Sequence, residues 1–75
     1  MLKSSDLKKS STTSGSVLYV AKGGYFLTFD KANNSAGCRL PDGEFQVFYG
    51  IENASVAKRC FVEWANKTEA GFFEQ

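Results

Sequence analysis

Ser16–Asp30 reads SVLYVAKGGYFLTFD, two β-branched and aromatic runs on either side of Lys22-Gly23-Gly24. Val, Leu, Tyr and Phe suit a pleated surface that is buried on at least one face, so each run reads as a strand. Glycine lacks the Cβ that makes positive φ costly, and positive φ is what a tight hairpin turn requires. The stretch therefore predicts an antiparallel hairpin of Ser16–Ala21 with Tyr25–Asp30.

Downstream, residues 31–43 (KANNSAGCRLPDG) carry turn residues at both ends, Asn33-Asn34-Ser35 and Pro41-Asp42-Gly43, and read as a loop. Glu44–Tyr49 (EFQVFY) reads as a third strand, ended by Gly50. The period then changes. Val56, Cys60 and Trp64 recur at every fourth position, with Ala57, Phe61 and Ala65 beside them. Together they make one broad apolar stripe on a helix. Lys58, Arg59, Glu63 and Asn66 fall largely on the other side. Asn53 is the expected N-cap, and Lys67 suits the negative end of the helix dipole. The helix is expected from about Ala54 to about Lys67. It is preferred over a fourth strand because alanine, lysine and glutamate favour helix.

Upstream, the first sixteen residues hold six serines, two threonines and one glycine, with Leu2 and Leu7 as large aliphatics. That composition buries too little to offset the entropy of ordering it. Residues 1–15 are therefore expected to form a flexible, basic, serine-rich arm ahead of a single small domain over residues 16–75. The expected fold is α+β: a three-stranded antiparallel sheet in the order β-β-β-α, backed by one C-terminal helix.

One helix covers one face of such a sheet, yet the strands are apolar on both. Tyr25, Leu27 and Phe29 alternate with Phe26 and Thr28. Phe45, Val47 and Tyr49 alternate with Gln46 and Phe48, and Leu18 and Val20 with Val17, Tyr19 and Ala21. The uncovered face should leave large side chains in water, a mark of an interface, unless Phe72-Phe73 folds back over it. The candidate partner-binding residues are Tyr19, Lys22, Tyr25, Phe26, Phe48 and Tyr49.

Groups for catalysis are scarce. The chain has no histidine, which removes the commonest general base and metal ligand. Cys38 and Cys60 are the only cysteines and make no zinc spacing. A single bridge between them is geometrically possible, but free thiols in a reducing compartment are the preferred reading, with Cys60 packed on the helix stripe. Acidic residues occur singly, without the paired-carboxylate pattern. Gly23-Gly24 lacks the lysine and following helix of a phosphate-binding loop. A non-enzyme without cofactor or metal is expected. No apolar run is long enough to span a membrane, and no apolar signal core follows Met1. A cytoplasmic protein with no membrane contact is therefore expected. The N-x-S/T triplets at Asn33, Asn53 and Asn66 then serve as turn and cap residues.

The net charge of +1 is unevenly spread. Residues 1–31 carry five lysines against two aspartates, and residues 32–75 carry four basic against six acidic groups. Lys3, Lys8, Lys9, Lys22, Lys31 and Arg39 are the candidates for phosphate contact.

Over residues 18–66 the chain resembles two families of DNA-binding domain, the arm-binding domains of tyrosine integrases and the ethylene-response-type domains of plants. The similar pieces are Leu18-Tyr19-Val20, the Gly23-Gly24 turn before Tyr25, Tyr49-Gly50, and Ala54-x-x-Ala57-x-Arg59-Cys60-Phe61. The resemblance implies a sheet inserted in a major groove with the helix as backing. The families read DNA with several Arg, Lys or Trp side chains on the strands. Here the strand ends offer only Lys22 and Lys31.

Two functions follow as expectations. The first is a non-catalytic protein-binding module, of the kind phages and mobile elements use as small accessory or inhibitory proteins, acting through an exposed apolar sheet face or as a homodimer. The alternative is a small nucleic-acid-binding module using the sheet and the basic arm.

Overall fold

The computed structural model describes residues 2–69, so Phe72 and Phe73, and any cover they give the sheet, lie outside the described residues. The architecture is α+β, with one antiparallel sheet and one C-terminal helix, as the sequence predicts. The sheet, however, has five strands rather than three. They are β1 (Lys8–Thr12), β2 (Ser16–Ala21), β3 (Tyr25–Asp30), β4 (Ser35–Arg39) and β5 (Phe45–Tyr49), followed by α1 (Ala54–Glu69). Spatial order equals chain order, a simple meander.

The β2–β3 hairpin forms from the expected segments, and its register sets Ala21 opposite Tyr25 and Ser16 opposite Asp30. Gly23 and Gly24 adopt φ of 98° and 102°. The loop expected over residues 31–43 is shorter than its composition suggests. Asp30 tightens its start by accepting hydrogen bonds from Ala32 N (3.1 Å), Asn33 N (3.3 Å) and Asn33 Nδ2 (2.7 Å). Ser35–Arg39 then extends along β3 as β4. Its residues have little strand propensity, but Ala36 and Cys38 alternate onto the helix side and are fully buried. Side chains this small let α1 lie close over β3 and β4.

The N-terminal residues also depart from expectation. Lys8–Thr12 pairs with β2 although each of its side chains is exposed. Before it comes a 3-10 turn, Ser4–Asp6. Leu2 and Leu7 are buried in the common core. Asn66 on α1 holds the backbone of Leu2 at both ends: Leu2 N donates to Asn66 Oδ1 and Asn66 Nδ2 donates to Leu2 O, each at 2.9 Å. The expected flexible arm is thus an edge strand plus an apolar anchor.

α1 begins where the capping chemistry placed it, with Val56 N donating to Asn53 Oδ1 at 3.0 Å. Its fully buried line is Ala57, Phe61 and Ala65. Val56, Cys60 and Trp64 flank that line and are partly buried. The core lies between α1 and one face of the sheet, built from Val17, Tyr19, Leu27, Phe29, Ala36 and Cys38. Among the described residues no helix is long and apolar enough to cross a membrane.

Candidate functional site

The face of the sheet turned away from α1 is defined by strand register. Lys8, Val20, Phe26, Arg39 and Phe45 are mutually opposed across the five strands and form one row. Leu18, Thr28, Gly37 and Val47 form the next row, and Ser16, Asp30, Ser35 and Tyr49 the last. No element among the described residues packs on this face. Phe26 is 44% exposed, Phe45 61% and Tyr49 78%. Leu18 and Val20 on β2 and Val47 on β5 are half-buried on the same face.

The face has relief. A groove of about 390 Å³ runs between Phe26 and Phe45, over Thr28 and Gly37. Gly37 sets its depth: a Cβ there would stand 3.6 Å from the Phe45 ring, so the ring lies across the glycine and covers backbone that a side chain would otherwise shield. Charge on this face is sparse. Asp30 is tied into its own turn, while Lys8 and Arg39 are exposed. Arg39 sits between Phe26 and Phe45 in their row.

No family model, curated protein or solved structure matches this chain. The surface must therefore be read from its own chemistry.

Of the residues expected to bind a partner, Phe26 and Tyr49 are on the open face and exposed, and Lys22 is exposed in the β2–β3 turn. The other three lie on the helix side. Tyr19 is buried, with Lys58 Nζ 4.5 Å above its ring. Tyr25 packs edge-on to Phe61 and its hydroxyl donates to Glu69 Oε2 at 2.7 Å. Phe48 packs edge-on to Trp64. These rings hold the helix to the sheet. Phe45 was missed as a site residue, although its spacing of four from Tyr49 on a strand already put both on one face.

The phosphate candidates are dispersed. Lys8 and Arg39 belong to the open face, Lys9 is in register with the helix-side Tyr19, Lys3 precedes the 3-10 turn, and Lys31 opens the β3–β4 turn. Both cysteines are free. Burial, with Cys60 adding a smaller effect, pushes the Cys38 thiol up to about 12, so it stays protonated at neutral pH. Among the described residues no group of three His, Cys, Asp or Glu side chains could hold a metal ion.

Proposed function

We propose that this chain is a non-catalytic protein-binding module whose docking surface is the open face of the sheet. The observation that carries the reading is the row-by-row apolar face, with Phe26, Phe45 and Tyr49 in water and a groove between the first two. Exposed aromatic side chains on a face with few charges are the usual anchors of a protein interface.

A second reading has one observation of its own. Arg39 lies between two exposed aromatics, with Lys8 at the end of the same row. An aromatic and guanidinium platform can stack the bases of a single strand. A protein partner is favoured because, among the described residues, Lys8 and Arg39 are the only basic side chains on the face.

Affinity capture from extract, with and without nuclease, tests both. Wild type should retain a defined protein after nuclease treatment, and Phe26→Ser with Phe45→Ser should lose it. Capture that vanishes with nuclease, together with steep weakening of binding by salt, would replace the protein partner with a nucleic acid.

A further inference from the structure

Among the described residues β1 and β5 are the two edges of the sheet, and they are built differently. β1 is polar throughout, carries Lys8 and Lys9, and has a bulge between Lys9 and Ser11. Charge, polarity and a bulge are the means by which an edge discourages another strand. β5 has neither charge nor bulge: Phe45-Gln46-Val47-Phe48-Tyr49 has Gln46 as its one strongly polar residue, lacks proline and keeps an unbroken register with β4.

Hydrogen-bond alternation fixes which groups of β5 face outward. Leu40 N donates to Glu44 O at 2.9 Å, which makes that opposed pair a hydrogen-bonded one. Going along the ladder, Gln46 and Phe48 then turn their backbone groups to β4, while Phe45, Val47 and Tyr49 turn theirs to the edge. Val47 O accordingly takes a hydrogen bond from the neighbouring Gln46 Nε2 at 3.1 Å.

We propose that β5 pairs antiparallel with β5 of a second copy of this chain, about a two-fold axis at Val47. The edge is self-complementary in that register. Phe45 would stand opposite Tyr49 of the partner subunit, and Val47 opposite Val47 of the partner subunit, all on the open face. Phe45 and Tyr49 are the two most exposed large hydrophobics among the described residues, and cross-strand aromatic pairs stabilise a sheet. No like charges meet, because β5 carries none. On the helix side, a groove of about 410 Å³ between β5 and α1 is lined by Trp64 and by one charge of each sign, Glu63 and Lys67. A two-fold axis would set that groove against its own copy, with one charge of each sign on either side of the seam.

The three outward-facing pairs would exchange about six backbone hydrogen bonds, two for each pair. Strand addition alone buries less than a standard interface, so association in the micromolar range is expected. Pairing would merge two open faces into one continuous surface. The inference goes beyond the docking function, since the backbone edge of β5 makes the contact, with Phe45 and Tyr49 pairing beside it and the rest of the face left open.

Sedimentation across a concentration series, on wild type and Val47→Pro, is the test. Proline at this position removes only an outward N–H, so pairing with β4 and the far-UV spectrum should persist. Wild type should shift to dimer as concentration rises, and Val47→Pro should remain monomeric. A Val47→Cys variant in a Cys60→Ser background supplies a second readout. A hydrogen-bonded antiparallel pair sets its Cα atoms about 5.5 Å apart, within disulfide reach. Mild oxidation should give a covalent dimer, whereas Thr28→Cys, central on the open face, should not. A monomeric wild type without the Val47→Cys crosslink overturns the proposal and leaves β5 to a strand from another protein. A dimer that survives Val47→Pro but is lost in Phe26→Ser also overturns it, because the contact then belongs to the face.

Discussion

Phe61 and Trp64 sit within one turn of α1 and meet the sheet differently. Phe61 is fully buried, with its ring centroid 6.3 Å from those of both Tyr25 and Trp64. Trp64 is only partly buried and leans on Phe48 at the β5 margin. Truncation of Phe61 opens a hole that nothing nearby can close, so Phe61→Ala should cost about 3–5 kcal/mol. Trp64→Ala removes a ring already partly in water and should cost about 1–3 kcal/mol, below the range for a buried aromatic. Urea unfolding of both variants checks the order, and equal losses would mean that Trp64 is as much a core residue as Phe61. The sequence identified the helix stripe but not its centre. Six apolar residues shared it, and the alanines on either side of Phe61 prevailed because they let the helix axis approach the sheet.

At the scale of elements, the N-terminal segment carries the clearest prediction. Its serines and lysines gave no sign of packing, yet Leu2 and Leu7 are 7% and 4% exposed. Asn66 satisfies both backbone groups of Leu2, a bond across 64 positions of sequence. Leu7→Ala should therefore cost about 2–4 kcal/mol, as for a leucine removed from a core. Asn66→Ala should cost about 1–2 kcal/mol by leaving half-buried groups unpaired. Thermal melts of the two variants, with Ser10→Ala on exposed β1 as a neutral reference, check this. Midpoints that match the reference would return these residues to the status of a free arm. β4 was hidden for a related reason: Ala36, Gly37 and Cys38 have weak strand propensity, and only a helix lying above them calls for residues so small.

For the whole molecule, one helix on one sheet makes one core, so titration of Cys38 within it should be read as loss of global stability, and titration of the more exposed Tyr25 hydroxyl at its edge as a smaller loss screened by solvent. Two groups release their protons late in the folded state. The hydrogen bond to Glu69, then burial, then charge from Glu69 and Asp42 raises Tyr25 from 10.0 to about 12. Burial raises Cys38 from 9.0 to about 12. Each raised value means that the native state holds protons that the unfolded state has lost, so stability falls as pH rises between the two values. Their contributions should be complete below pH 9, fall from about 9 for Cys38 and from about 10 for Tyr25, and be lost by about 12. Cys38→Ala should delay the onset of the decline, and Tyr25→Phe should flatten its upper part. Denaturant melts across that pH range measure it; an unchanged slope in both variants would place the alkaline loss elsewhere.

The sequence alone determined the parts whose signals are local. The Gly23-Gly24 hairpin follows from backbone freedom at two positions, and the α1 start from a side chain that accepts an amide three residues on. Alternation along β2, β3 and β5 assigned each side chain to one of two faces, because strand geometry repeats every two residues. Tertiary structure decided what alternation cannot: which face the helix takes. It covered Tyr19, Tyr25 and Phe48 and left Phe26, Phe45 and Tyr49 in water, since the first set meets Phe61, Trp64 and Lys58 of α1. It also turned a polar segment and a small-residue loop into β1 and β4. Their stability comes from pairing with neighbouring strands and from burial under a distant helix, and neither is written in the residues of the segment itself.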